Sequence, residues 1–331
     1  MARERFSIPK GSLWEGTYKI LERAGYEISG YERSYKPAIN DPGISLKILR
    51  PQEIPSFVSE GLIDVGITGE DWLSETNADV EVLLKLGYGK VRICFIVPKP
   101  WTHINSLSDL IKTFYERGKP LRISTEYLNI TSKFIVDNEI YKKFFGDSEP
   151  VIITPWWKKG SNEMVRIMLS FGATEAKPPE DADAIVDVVE TGITLERNDL
   201  KIIETIMESQ AILIANKRSL TNPEKREKIY DILTLLKGVV EAKGKLHIFV
   251  NVKEENLREL LRRLPALKGP TISRLSKEGW YAINTVIDKQ VFLQLLPTLR
   301  RLAQGLVVYE PKQVLPLEEI VEEEKKHDEN S

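Results

Sequence analysis

Asp181-Ala-Asp-Ala-Ile-Val-Asp-Val-Val-Glu-Thr-Gly-Ile-Thr-Leu195 is the stretch from which the rest of the chain is best read. Ala184–Val189 is a short apolar run rich in β-branched residues, which predicts a strand buried on both faces. It delivers Asp187 and then runs into Thr191-Gly192-Ile193-Thr194. Such a turn offers backbone N–H groups and two hydroxyls converging on one point, which is how a phosphate is held. A carboxylate just upstream can accept hydrogen bonds from two neighbouring sugar hydroxyls. Strand, carboxylate and turn together fit a 5-phosphoribosyl group. Taken singly, each would suit an ordinary strand-end Asp or a Thr helix cap.

Working outward, the first half alternates apolar and amphipathic runs. Strands are expected at Arg5–Pro9, Leu46–Leu49, Asp64–Thr68, Val91–Pro98, Leu121–Thr125 and Val151–Thr154. Helices are expected at Leu13–Ala24, Ile54–Glu60, near Asp71–Leu73, and at Leu107–Arg117, Thr131–Phe145 and Asn162–Phe171. Alternation of this kind predicts an α/β protein with open, mostly parallel sheets covered on both faces. Lys201–Glu204 and Ala211–Asn216 return as strands, and Asn222–Ala242 is a long helix with Pro223 in its first turn. Two sheets joined by chain crossings suggest two lobes around a cleft. From Lys245 the order becomes β-α-β-β-α-β, the split ferredoxin-like unit. The expected domains are 1–95 plus 196–240 as one lobe, 96–195 as the second, and 245–321 as a separate ferredoxin-like domain. The charged tail 322–331 has no apolar face and is expected to be disordered.

Composition narrows the function. A net charge of -2 over 331 residues argues against general binding to nucleic acid or an anionic membrane. No apolar run is long enough to cross a bilayer, and Met1–Lys10 lacks the apolar segment of a signal peptide. The expected location is therefore the cytoplasm. Cys94 is the single cysteine and lies in an apolar run, so it reads as a small buried thiol. His103, His247 and His327 are far apart and show none of the local spacings of a metal site. Trp156-Trp157 is assigned to packing or an interface.

Other candidate groups lie at expected strand ends. Lys10 follows a strand beside Gly11, and Arg50 ends the next strand; both should open on the ligand side of a parallel sheet. Thr68, Gly69 and Asp71 sit at a third strand end, and Gly87-Tyr-Gly89 is a flexible crossing where backbone could approach a flat base. Glu163, in Gly160-Ser-Asn-Glu163, reads either as a first-turn helix residue favoured by the dipole or as a second sugar-binding carboxylate beside Asp187.

With these segments in view, the chain resembles the long-form ATP phosphoribosyltransferases from end to end apart from the acidic tail. The resemblance is carried by Pro9–Leu13, Arg50–Pro55, Gly61–Asp71, Arg122–Tyr127, Gly160–Glu163 and Asp183–Leu195, six segments in order. It implies a two-lobed, periplasmic-binding-protein-like catalytic core and a ferredoxin-like (ACT-like) regulatory domain. The implied reaction is attack of adenine N1 of ATP on phosphoribosyl pyrophosphate, at the start of histidine biosynthesis. By the same resemblance Glu163 and Asp187 hold the ribose hydroxyls, and Thr191, Gly192, Ile193 and Thr194 the 5-phosphate. Lys10 and Arg50 face the pyrophosphate, and Asp71, Leu73, Gly87 and Gly89 border the nucleotide. Mg²⁺ would arrive on the substrate, without a protein metal site. Histidine would inhibit by binding near Asn251, Leu267, Thr271 and Gly305, in a homo-oligomer between dimer and hexamer. The chain departs from the family pattern in an extra segment around Phe171–Glu180, in Lys90 and Glu190, and in Leu128.

Two rival readings share parts of this sequence. A two-lobed solute-binding protein would share the architecture but be exported. A non-catalytic amino-acid sensor would use the C-terminal domain and have no need of Asp187 with its turn.

Overall fold

The computed structural model describes residues 3–264 and 269–329. One sheet of five strands has the order β4 (Ile44–Leu49), β1 (Glu4–Pro9), β5 (Val65–Gly69), β14 (Ala211–Ala215), β6 (Glu81–Lys85). β1 pairs parallel with β4 and β5, while β14 runs antiparallel to both of its neighbours. A second sheet has seven strands: β10 (Lys158–Lys159), β9 (Pro150–Ile153), β11 (Asn162–Leu169), β8 (Leu121–Thr125), β12 (Ala184–Val189), β7 (Val91–Pro98), β13 (Leu200–Ser209). β9, β11, β8 and β12 are parallel, and β7 is antiparallel to β12 and β13. The sheets are thus mixed, because strands that cross between lobes must enter against the parallel set. Those crossings fall between β6 and β7 and between β13 and β14. A two-stranded ribbon, β2 (Ile28–Ser29) with β3 (Ala38–Ile39), sits beside the first sheet.

Helices α1 (Trp14–Arg23), α2 (Ile54–Ser59), α3 (Glu70–Thr76), α8 (Lys217–Thr221) and α9 (Pro223–Ala242) belong to the first sheet's half. On the second sheet lie α4 (Leu107–Glu116), α5 (Leu128–Asp137), α6 (Glu139–Phe145) and α7 (Ile193–Arg197). The long helix expected over 131–145 is broken at Asn138, whose Oδ1 accepts the N–H groups of Ile140 and Tyr141 and so starts α6. Each sheet has its own core, the first around Phe6, Ile8 and Val65, the second around Phe95, Ile123 and Ile167. Cys94 is buried as expected, and burial pushes its thiol up.

The C-terminal unit is the antiparallel sheet β16 (Thr271–Arg274), β17 (Trp280–Asp288), β15 (Lys245–Lys253), β18 (Ala303–Tyr309), with α10 (Glu254–Arg263) and α11 (Lys289–Leu302) packed on one face. The ferredoxin-like order is the expected one. The tail is not irregular: α12 (Leu317–Glu329) runs through most of it. It is anchored by Ile320, which is 5% exposed in the first core. Just ahead of it, Val314 N–H donates to Gly238 O of α9. Gly238 explains itself here, since a Cβ on it would lie 2.3 Å from Leu315. No described helix is long and apolar enough to cross a membrane.

Candidate active site

The C-terminal ends of the parallel strands in both sheets face one another. Tyr127, just after β8, donates its hydroxyl to Asp71 Oδ2 at 2.8 Å, and Asp71 opens α3 at the end of β5. Ser209 Oγ, at the end of β13, donates to Asp71 Oδ1 at 2.8 Å. Glu75 accepts the N–H groups of Asn129 and Ile130 and so caps α5 from the other lobe. Asp71 is 6% exposed with both oxygens engaged. It ties the end of β5 to Tyr127 and Ser209 of the other sheet. Leu73, expected beside it on the nucleotide, packs into the apolar cluster of Ile54 and Val58.

On the second sheet Asp187 lies where β12 passes beyond its β8 partners, at the cleft edge. Its Oδ1 accepts the N–H of Val188 at 2.7 Å. Burial, then the nearby charges of Glu175 and Glu126, push its carboxyl up to about 6 against the N–H bond and Lys177. The Thr191–Thr194 turn follows at once. Gly192 takes φ +82°, a left-handed conformation that glycine adopts freely, and caps α7. Thr191, Ile193 and Thr194 are exposed. The first amides of α7 have no partners within the helix.

Glu163 is elsewhere. Residues 162–169 form a central strand, not the expected helix, paired parallel with β8 and β9. Val165 pairs with Leu121 and Ala184 with Ile123, so Glu163 and Asp187 lie at opposite ends of the strands. The offset is about seven residues, or roughly 23 Å at the usual strand rise. Glu163 is an exposed surface carboxylate paired with Lys158 and Arg166. The carboxylates whose charge acts on Asp187 are instead Glu126, just after β8, and Glu175, in the 3₁₀ turn Thr174–Ala176. The extra segment 171–180 is what carries Glu175. Gly172-Ala-Thr-Glu175, a glycine-led turn carrying a carboxylate shortly before the Asp187 strand, was the signal available in the sequence.

On the first sheet, Pro9 pairs with Leu49, so Lys10 and Arg50 leave adjacent strand ends together. Lys10 Nζ donates to Tyr35 Oη at 2.9 Å and, with Trp14 and Tyr31, lines a cavity of 440 Å³. Both cations are exposed. Gly87 and Gly89 lie in the crossing from β6 to β7, at φ +70° and +62°, and a Cβ on Gly89 would strike Leu13 at 2.4 Å. Beside this crossing is a cavity of 410 Å³ whose walls include Lys90 and Glu190, two of the departures noted in the sequence. Trp156 is 73% exposed after β9 and meets Phe171 edge-on, so it is not core. Among the described residues no group of three or more His, Cys, Asp or Glu is placed to hold a metal ion.

In the C-terminal sheet Asn251 pairs with Gly305, and Thr271 pairs with Asn284 two strands away. Register places all of them on the exposed face, opposite α10 and α11. Leu267 lies outside the described residues.

The family description "ATP phosphoribosyltransferase" matches residues 50–238, and "HisG, C-terminal domain" matches residues 242–312. A curated ATP phosphoribosyltransferase of Chlorobaculum parvum is 40% identical over 92% of this chain and 95% of its own length. One of Solibacter usitatus is 38% identical over 96% and 99%. Among solved structures, a chain of the ATP phosphoribosyl transferase (HisG:HisZ) complex of Thermotoga maritima superposes with a TM-score of 0.54 at 26% identity. That match covers 73% of this chain and 99% of the other. With a cleft built from two mixed sheets, a Thr-Gly-Ile-Thr turn at its edge and an appended ferredoxin-like unit, the chain belongs to the ATP phosphoribosyltransferase family, in the long form that carries the C-terminal domain.

Proposed function

We propose that the cleft joins ATP to phosphoribosyl pyrophosphate, with adenine N1 attacking the anomeric carbon and pyrophosphate leaving. The observation that carries this reading is Asp187 at the end of β12, immediately ahead of the exposed Thr191–Thr194 turn, with the charge of Glu175 acting on it. Two carboxylates take the ribose hydroxyls and oppose the positive charge that builds on the ring as the bond breaks. The turn takes the 5-phosphate through its amides and hydroxyls. Lys10 and Arg50 meet the negative charge that builds on pyrophosphate. Gly87 and Gly89 let backbone approach the base, and Asp71 acts by fixing the cleft rather than by touching nucleotide. Mg²⁺ suits this site when carried on the pyrophosphate, since it keeps waters and phosphate oxygens rather than an all-protein cage. No covalent intermediate is needed, so positioning and charge do the work.

The division of labour proposed is two catalytic lobes and a regulatory unit from Lys245. Asn251, Thr271 and Gly305 present histidine with polar groups on an open sheet face, and a homo-oligomer would cover it. The test is formation of phosphoribosyl-ATP, followed by absorbance, from ATP, phosphoribosyl pyrophosphate and Mg²⁺ with pyrophosphatase present. Turnover suppressed by histidine supports both assignments. Turnover indifferent to histidine removes the regulatory one, and no turnover from folded protein removes the catalytic one.

A further inference from the structure

One cation beside Asp187 is left without a task by the reading above. In the second sheet Met168 pairs with Ser124 and Ser124 with Ile185, so Ser170, Ser124, Ile185 and Asp187 share one face. Lys177 lies across that face. Its Nζ donates to Ser124 Oγ at 3.0 Å and to Ser170 Oγ at 2.6 Å. Both serines are 2% exposed, so the ammonium is pinned over the sheet rather than waving in solvent. Ser170 Oγ is in turn 2.8 Å from Thr174 Oγ1, in the turn that carries Glu175. The charged groups facing Asp187 are Glu175 from that turn, Glu126 from the end of β8, and Lys177; the Tyr127 phenol also feels it. Two like charges stand against one cation.

We infer that Lys177 is a positioning residue of the phosphoribosyl site, keeping the Asp187 carboxylate ionised and the Glu175 turn in place. This rests on the assignment of Asp187 to the ribose hydroxyls. A protonated Asp187 would turn one of its acceptor sites into a donor and lose the negative charge that the developing cation requires. Without Lys177, two carboxylates and burial would act on Asp187 with only the Val188 amide to oppose them.

The experiment is kcat/KM for phosphoribosyl pyrophosphate between pH 5.5 and 8.5, which reports groups of the free enzyme. Lys177→Met should move the acid limb upward by roughly one pH unit. Its deficit against the unaltered enzyme should then be about fivefold at pH 6 and nearly absent at pH 8, as follows from a one-unit displacement. Lys177→Arg should restore the limb. Glu126→Gln leaves both serine anchors intact and should move the limb downward, so the inference stays testable if Lys177→Met fails to fold. A deficit equal at every pH with an unmoved limb, or a Glu126→Gln limb that does not move, overturns the inference. Failure of the underlying reading looks different: Asp187→Asn would then turn over at the unaltered rate.

Discussion

Asp64 and Asp187 are both aspartates at buried strands, one in each sheet, and their surroundings are opposite. Asp64 is completely buried and accepts from the Arg5 amide and guanidinium, from Ser219 Oγ at 2.7 Å and from Lys225 Nζ at 2.6 Å. Burial alone would raise it, but those bonds outweigh burial and hold it well below the usual carboxylate range. Asp187 receives a single backbone N–H and faces two carboxylates. The first is a charge the fold has finished paying attention to; the second is a charge left short of partners at a cleft edge. Under-satisfied ionisable groups of that kind gather where ligands supply what is missing.

The sharpest way to break this comparison is to neutralise each aspartate. Asp187→Asn should lower kcat/KM by on the order of 10²–10³, as for loss of one charge-stabilising group, with the melting temperature unchanged or slightly raised. Asp64→Ala should do the reverse, costing about 2–4 kcal/mol in urea unfolding while KM values hold. That figure sits below the cost of orphaning a fully buried partner, because Arg5 and Lys225 keep 41% and 26% exposure. If Asp64→Ala instead impaired turnover at full stability, the contrast between the two sites would be wrong.

Glu4 sharpens the same contrast through pH. It is 3% exposed, its Oε2 has no hydrogen-bond partner among the described residues, and burial, then the charge of Asp64, raise it to about 7. A carboxyl raised on folding binds its proton more tightly in the folded state. Its contribution is therefore intact below pH 4.5 and is lost as pH rises through 7. Asp64, which is lowered, loses its contribution only on acidification below the usual carboxylate range. In an Asp187→Asn background, stability should fall by about 2–3 kcal/mol between pH 5 and 8, and Glu4→Gln should flatten that fall. An unchanged slope in Glu4→Gln would assign the loss to another group.

Much of this architecture was legible because pattern and tertiary role agreed. Ile8, Ile48 and Val186 lie in short apolar runs that can only be buried strands, and Asn222 with Pro223 announces α9 in its own sequence. Where they disagreed, the sequence misled. Asn162–Leu169 reads Asn-Glu-Met-Val-Arg-Ile-Met-Leu, mostly good helix formers after a Ser-Asn start. It is a strand because β8 and β9 flank it on both sides and bury Val165 and Ile167, and no local preference encodes that. The same error displaced Glu163 and hid Glu175. The tail misled for a related reason: its charged residues follow Ile320, whose anchorage in a distant core no local composition reveals.

The smallest expected effect separates those two glutamates. Glu163 pairs with Lys158 and Arg166 at the far end of the strands, with half its side chain in solvent. An exposed pair of this sort contributes about 0–1 kcal/mol, so Glu163→Gln should leave kcat and both KM values within about twofold of the unaltered enzyme. Glu175→Gln, by contrast, removes the carboxylate proposed to meet the sugar and should raise KM for phosphoribosyl pyrophosphate by about tenfold, the worth of one charged hydrogen bond. Run side by side, the two variants test the strand register itself. Were β11 a helix placing Glu163 over the ribose, the larger loss would follow residue 163, and the parallel pairing of Val165 with Leu121 could not stand.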